Sequence, residues 1–325
     1  MRLVGAGDGV DPEDPAVDHA GLRPARRAAS EAELTLERVI LAEDEWPARQ
    51  SAHHERVDAL VGDHLERRRA GRAHPVHDFL FTYYSFKPSQ LRRWHPGLGV
   101  VLAGSPPHAG WAGYVTEAGG VTVGPAVVQK RAATVSWVRG LLAATASRPA
   151  HTGCFGLHEW AMVYRTTPGD VRHEAYPLRL GHSGTDAVVE AHQIRCSHFD
   201  AFRFFTAAAR PRNVLAPTRE LQPVLEQPGC LHAGMDLYKW AYKLTPLVPS
   251  ELVVDAFELA AEIRELDMRA SPYDLADLGF EPVRIETTEG KREYVERQRA
   301  FAGRGAVIRE RLLAECERLA HAAVP

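Results

Sequence analysis

Residues 250–269 read SELVVDAFELAAEIRELDMR and contain the clearest helical pattern in the chain. Their apolar side chains recur at alternating spacings of four and three residues, which places them along one face of an α-helix. This stripe consists of Leu252, Ala256, Leu259, Ile263 and Leu266. Ser250 follows Pro249 and is the expected N-cap. The pattern predicts a helix with one buried face.

The opposite side of this helix carries a row of carboxylates. Paired carboxylates on facing helices can hold a di-iron centre, but the accompanying Glu-x-x-His is missing here. We therefore interpret the row as a solvated acidic face balanced by Arg264 and Arg269. Its members are Asp255, Glu258, Glu262 and Glu265.

Helical patterns also dominate much of the remaining chain. Helices are predicted over 51–72, 126–147 and 290–321, the last with a possible interruption at Gly303 and Gly305. The order serine, proline, acid over 271–274 predicts a further helix start. These patterns predict a mainly α fold.

A small β element is expected near residues 98–128. LGVVLA at 98–103 is a strand candidate, and GYVTEAGGVTVG alternates around Gly119 and Gly120, a hairpin signal. LTLERVIL at 34–41 is a further strand candidate. The predicted fold class is a single, mostly helical domain over 34–325 with this β-hairpin or small sheet inserted. Residues 1–33 lack any apolar periodicity and are predicted to be a disordered N-terminal arm.

Composition excludes several classes of protein. Hydrophobic residues make up 45% of the chain and charged residues 25%, which are ordinary globular values. No apolar run approaches the roughly 18 residues that a membrane span needs. The four cysteines are too scattered for a disulfide scaffold, so we predict reduced thiols, a cytoplasmic location and no membrane partner. The net charge of −3 means that any contact with nucleic acid has to rest on a local patch.

Three segments between residues 151 and 236 carry the same residue types. Each offers a thiol, an imidazole and a carboxylate within a few positions. The segments are GCFGLHEW with Cys154, His158 and Glu159; RCSHFD with Cys196, His198 and Asp200; and GCLHAGMD with Cys230, His232 and Asp236. If the first and third are helical and the second extended, each segment can direct its polar groups inward.

Two interpretations of these segments stay open. In the functional one they meet in a shared site, where a carboxylate orients a titrating histidine for acid–base chemistry. The catalytic candidates are then Asp200, Asp236, His198, His232, His158 and Glu159. His158, His198 and His232 are also the candidate ligands for a zinc or iron ion, although no HExxH motif or pair of CxxC motifs is present. In the structural interpretation they are unrelated core groups, and no cofactor is needed.

A second candidate site lies at 77–95, where five aromatic residues precede a basic turn. Flat aromatic rings stack on nucleobases and nearby cations neutralise phosphates. Tyr83, Arg92, Arg93 and Trp94 are the candidates for such contacts, whereas Phe79, Phe81 and Phe86 are expected in the core. The basic stretch RFFTAAARPR at 203–212 is a possible extension of this surface.

Long segments of the chain resemble a family of actinobacterial proteins often labelled 3-methyladenine DNA glycosylase. They are HPVHDFLFTYYSFKPSQLRRWHPG (74–97), GLHEWAMVYR (156–165), IRCSHFDAFRFFT (194–206), GCLHAGMDLYKWAYKL (229–244) and RELDMRASPYDL (264–275). The resemblance covers residues from about 40 to 315. It implies a hydrolase that cleaves the N-glycosidic bond of an alkylated purine in DNA, with DNA or a modified nucleobase as partner.

Residue chemistry suggests how such an enzyme would use this chain. A flipped base would stack on Tyr83, Trp94 or Trp160, and Asp200, Asp236 or Glu159 would act as the base. A helix-hairpin-helix followed by a Gly/Pro-rich stretch and an aspartate is missing from the sequence. Two alternatives therefore stand beside the hydrolase: a His/carboxylate metalloenzyme, such as an oxygenase, acting on a small molecule, and a non-catalytic protein that binds nucleic acid or another ligand.

Overall fold

The computed structural model describes residues 38–167 and 176–322, and all of them belong to one compact unit. The predicted arm at 1–33 and residues 34–37 of the strand candidate lie outside the described residues. Within the described ranges the chain is mainly helical, as predicted. The helices are α1 Glu45–Arg69, α2 Phe79–Tyr83, α3 Pro88–Leu91, α4 Pro125–Ala146, α5 Leu157–Ala161, α6 Gly181–Glu190, α7 Phe199–Phe202, α8 Gln222–Leu225, α9 Leu231–Lys243, α10 Ser250–Arg269 and α11 Thr288–Ala322.

A small four-stranded sheet accompanies the helices. Its strands are β1 Val39–Leu41, β2 Val100–Leu102, β3 Tyr114–Glu117 and β4 Gly120–Val123, in the order β1-β2-β4-β3. Strand β1 runs parallel to β2, and β4 is antiparallel to both β2 and β3. The hairpin is predicted correctly, but its turn is Ala118-Gly119, one residue earlier than expected, because Glu117 pairs with Gly120.

Helix α10 lies at the centre of the helical layer and packs most extensively on α9 and next on α11, which in turn packs on α4. All five residues of its apolar stripe are buried, with at most 2% of each side chain exposed. Each buried leucine or isoleucine contributes about 1.5–3 kcal/mol relative to an exposed one. The stripe therefore anchors α10, and the side chains at the end of the helix are fixed in position with it.

The ends of three predicted helices differ from the structure. Ser250 is the first helical residue rather than the N-cap, and its hydroxyl instead accepts a hydrogen bond from the backbone N–H of His95. The sequence at 271–274 does not start a helix; the next helical segment is a short 3-10 turn, Ala276–Leu278. Helix α11 continues through Gly303 and Gly305 without interruption, because its packing on α9, α10 and α4 outweighs the low helix propensity of glycine.

Among the described residues, no helix combines the length and the apolar character that a bilayer crossing requires.

Candidate metal centre and adjoining cavity

Three helices bring two histidines and one aspartate together in the interior. His158 comes from α5, His232 from α9 and Asp267 from the last turn of α10. One potential ligand atom from each residue lies within 4.8 Å of the other two. The His158 and Asp267 side chains are 3% and 0% exposed, while His232 is partly exposed. This arrangement is a candidate metal centre of two imidazoles and one carboxylate.

His158 and Asp267 make the closest contact in this group. The Nε2 atom of His158 lies 2.8 Å from Oδ1 of Asp267, but neither atom has a hydrogen-bond partner in suitable geometry. Two ligand atoms that each lie about 2.1 Å from a single ion are about 3.0–3.4 Å apart. The distance of 2.8 Å is that of a histidine–aspartate ion pair and slightly shorter than this range, so only the poor hydrogen-bond direction is what a pair of metal ligands would show.

Arg264 fixes the carboxylate from the other side. Its Nη1 atom lies 3.2 Å from Oδ2 of Asp267 and 3.1 Å from Oε1 of Glu159, and its guanidinium stacks 3.9 Å from the ring centre of Phe79. Only 2% of the Arg264 side chain is exposed. Because Arg264 occupies Oδ2, Asp267 presents its Oδ1 toward His158. Groups that orient ligands in this way are a regular part of metal sites.

The charges of these groups depend on one another. Burial alone would raise the pKa of Asp267, but the neighbouring His158 and Arg264 outweigh it and hold that pKa well below its usual value. Burial alone would lower the pKa of His158, and the Asp267 carboxylate reverses this effect and raises it well above its usual value. Burial and the nearby His158 lower the pKa of His232, so His232 is neutral at pH 7 and a lone pair is available on its ring.

A cavity of about 330 Å³ adjoins this centre, which is near the lower limit for small-molecule sites. Its wall contains His232 of the candidate centre and Arg264, which contacts Asp267. Phe79 and Tyr83 stack face to face on one side, with ring centres 5.0 Å apart. The complete lining is Phe79, Thr82, Tyr83, Glu159, Met162, Asp200, Ala201, Phe204, His232 and Arg264. The cavity is therefore largely apolar, with a few charged groups.

The third histidine, His198, lies behind His232 and does not line the cavity. Its ring stacks on His232 at 5.2 Å, and its Nε2 atom lies 3.4 Å from Oδ2 of Asp236. Asp236 also accepts hydrogen bonds from the Tyr84 hydroxyl at 2.9 Å and the Lys239 ammonium at 2.9 Å. Burial alone would raise the pKa of Asp236, but Lys239 and His198 outweigh it and hold that pKa well below its usual value.

The segment with Cys196, His198 and Asp200 is not extended throughout, so the condition under which its polar groups would share one face is not met. His198 precedes α7, whereas Asp200 lies within that helix and faces the cavity. The three histidines do come together, since the His158 and His232 rings are 4.5 Å apart. His158, His198 and Asp236 lie behind the cavity wall, while His232, Asp200 and Glu159 line it.

The cysteines of the three segments are also close to the histidines. Sγ of Cys154 lies 3.8 Å from Nδ1 of His158, and the Cys196 thiol donates to the carbonyl oxygen of His198. Cys230 is the N-cap residue of α9. Burial raises the pKa of both the Cys196 and Cys230 thiols, so they are protonated and weak nucleophiles.

The predicted aromatic and basic surface does not form around the cavity. Tyr83 lines the cavity, but the Trp94 indole N–H donates to Glu251 at the start of α10. Glu251 and Asp267 lie about 24 Å apart along that helix. Arg92 is paired with Asp58, and Arg93 lies over Trp111. Residues that are adjacent in sequence therefore separate between two regions of the fold.

Trp160 is also misassigned as a stacking residue. None of its surface is exposed, and its indole N–H donates to the carbonyl oxygen of Ala270 at 2.9 Å. No ring face is open to a ligand, so Trp160 belongs to the core. Its role is to hold α5 against the end of α10.

The sequence patterns do not identify two residues of the site, Asp267 and Arg264. Asp267 follows Ile263 by four positions and thus continues the buried stripe, which is a signal that an acidic residue points inward. Arg264 was expected to balance the acidic face at the surface. Arg269 pairs with Glu265 of that face as expected. The rest of the face is paired with arginines from α1 and α11: Arg56 with Asp255 and Glu258, Arg304 with Glu262, and Arg311 with Asp255.

Comparison with known proteins finds no matching family model, no matching curated protein and no matching solved structure. The family resemblance described above is therefore an expectation, and functional proposals rest on the geometry of the site.

Proposed function

We propose that this chain is a metal-dependent enzyme that acts on a small molecule, with His158, His232 and Asp267 as the metal ligands. The observation that carries the proposal is the convergence of one ligand atom from each of these three residues within 4.8 Å, next to a cavity that His232 lines. Two histidines and one carboxylate with open positions are typical of non-haem iron oxygenases, and zinc hydrolases use a similar set.

The poor alignment of the contact between His158 and Asp267 supports a metal over a purely structural cluster. Their Nε2 and Oδ1 atoms form an ion pair at 2.8 Å, but the direction between them is unsuitable for a hydrogen bond. A metal ion that takes the place of the proton on Nε2 would contact both atoms. A cluster that only stabilised the core would gain more from well-aligned hydrogen bonds.

The chain's own residues divide into ligands and substrate contacts. A metal held by three protein ligands has positions left for water, dioxygen or substrate and activates what binds there. His232 is the ligand at the cavity wall, so a substrate approaches from its side. Phe79, Tyr83 and Phe204 surround its apolar part and exclude water, while Arg264 keeps Asp267 oriented.

Metal analysis of the purified full-length protein tests the proposal. We expect about one equivalent of iron or zinc per chain, either as isolated or after reconstitution of the apoprotein under reducing conditions. His232→Ala and Asp267→Asn should each lose most of this metal, because a three-ligand site does not survive the loss of one ligand. His321→Ala is the matched control, since His321 is exposed on the last turn of α11.

A wild-type protein that takes up neither iron nor zinc would exclude the proposal. Equal metal content in the wild type and both ligand variants would do the same, because the metal would then be bound elsewhere.

An N-glycosidic hydrolase is the second candidate, and the composition of the cavity favours it. The stacked pair Phe79 and Tyr83 offers an aromatic wall for a base, while Asp200 and Glu159 offer carboxylates. Such an enzyme needs no metal, so the two candidate functions differ in whether activity depends on a bound metal. Release of free alkylated base from methylated DNA by metal-free protein, abolished in Asp200→Asn, would favour the hydrolase.

A further inference from the structure

Three cations converge on one carboxylate at the wall of the cavity. Arg203 Nε lies 3.2 Å and Arg219 Nη2 3.8 Å from Oδ1 of Asp200, and Lys239 Nζ lies 3.3 Å from Oδ2. Lys239 is shared with Asp236, which is itself buried. This group, here called the Asp200 cluster, therefore contains three positive and two negative charges.

The inner part of the cavity carries no such excess of positive charge unless a metal is present. There Arg264 contacts two carboxylates, Glu159 and Asp267, and Asp267 also pairs with His158. A bound divalent ion, as in the proposed function, makes this inner group positive. The whole cavity then carries an excess of positive charge, and a ligand of negative charge is the one that neutralises it.

The two arginines of the Asp200 cluster are placed to receive such a ligand. Their side chains are 41% and 67% exposed, and their guanidinium groups lie over the rings of Phe204 and Phe199, respectively. Stacking fixes a guanidinium in a plane while its N–H groups stay available for hydrogen bonds. Carboxylates and phosphates match this planar fork better than other groups do.

We propose that the substrate is a small anion with a planar apolar body, whose carboxylate or phosphate docks on Arg203 and Arg219 at the Asp200 cluster. The apolar body lies between Tyr83 and Phe204, which line the same cavity. The other end of the molecule then reaches toward His232 and the metal. This inference rests on the proposed function, since the metal supplies part of the positive charge.

A surface ion-pair network is the competing explanation for the same cations. Exposed ion pairs contribute little to stability, and a carboxylate needs only one or two partners. The competing explanation does not account for the third cation at Asp200. It also does not account for the location of this cluster at a cavity wall.

Equilibrium binding to the metal-loaded full chain tests the inference with three probes of one shape. Benzoate and phenyl phosphate carry an anionic group, and benzamide is a neutral match for benzoate. We expect both anions to bind, benzamide to bind at least about tenfold more weakly, and Arg203→Gln with Arg219→Gln to remove this preference. Added salt should weaken the binding of both anions and leave the binding of benzamide unchanged. Arg297→Gln is the control, since Arg297 is a partly exposed arginine paired with Glu293 on α11.

The ratio of benzoate to phenyl phosphate affinity distinguishes a carboxylate substrate from a phosphate. Benzamide binding as well as benzoate would overturn the inference, as would unchanged anion binding in the double arginine variant or a lack of binding by all three probes. Metal content measured on the same sample shows whether a negative binding result contradicts this inference or the proposed function. A metal-loaded protein without anion preference contradicts the inference alone, whereas a protein that takes up no metal contradicts the proposed function.

Discussion

The Nε2 atom of His158 and the Oδ1 atom of Asp267 lie 2.8 Å apart in the interior without forming a well-aligned hydrogen bond. The two residues come from α5 and α10, so the core packing of two separate helices sets this distance. Together with His232 they form a site that a metal ion completes.

Arg264→Ala should weaken metal binding even though Arg264 is not a ligand. The variant frees Oδ2 of Asp267 and leaves two buried carboxylates without their shared cation. We expect a loss of about 10–100-fold in metal affinity and about 3–5 kcal/mol in the free energy of unfolding. Metal titration and urea denaturation measure the two effects. Arg304→Ala, which removes an exposed partner of Glu262, is the control and should change stability by about 1 kcal/mol or less. A fully stable Arg264→Ala protein with normal metal affinity would show that Arg264 has no positioning role.

Asp236→Asn should destabilise the protein most at pH 7 and progressively less as the pH falls below about 4. The pKa of Asp236 is lowered in the folded state, so its stabilising effect is complete above the pKa of about 3.9 that it has when unfolded. The effect is lost as the pH falls through the lower folded pKa. At pH 7 the variant leaves the ammonium of Lys239 with one acidic partner fewer, at a cost of about 3 kcal/mol.

Urea denaturation of wild type and Asp236→Asn between pH 3 and pH 7 checks this prediction. We expect the difference in unfolding free energy to narrow toward pH 3. Glu293→Gln removes a partly exposed carboxylate and should change the unfolding free energy only slightly at every pH. A constant difference between wild type and Asp236→Asn would contradict the assigned ionisation.

A double variant, Arg92→Ala with Arg93→Ala, should leave ligand binding at the cavity unchanged. Arg92 is held by Asp58 and Arg93 lies over Trp111, both in the part of the molecule near the start of α10. Tyr83→Ala, by contrast, removes part of the cavity wall and should weaken binding of a planar ligand by about 1 kcal/mol or more. The same binding assay measures both variants. Equal losses in the two variants would mean that the basic turn belongs to the ligand site after all.

The sequence predicts the architecture better than it predicts the site. Periodicity is sufficient to place α10, because a buried face needs apolar residues at every third or fourth position. The meeting of His158, His198 and His232 is anticipated from three segments with the same residue types. Those patterns do not indicate which side of each helix faces the cavity.

The missed and misplaced residues have a common physical cause. Asp267 looks like one more member of an acidic helix, and its burial depends on α5 packing against the end of α10. Arg92, Arg93 and Trp94 are close to Tyr83 in sequence, but the chain turns at α3 and takes them toward the opposite end of α10. Such long-range packing is not encoded in the local patterns of the sequence.

X-ray absorption spectroscopy of the metal-loaded protein tests the central claim most directly, because it identifies the ligand atoms themselves. For zinc or iron we predict nitrogen and oxygen ligands at about 2.0–2.2 Å, including two imidazoles, and no sulfur ligand near 2.3 Å. His232→Ala should lose one imidazole from this spectrum. A spectrum with sulfur ligands would place the metal on Cys154, Cys196 or Cys230 instead, and one without imidazole would contradict the assignment of His158 and His232.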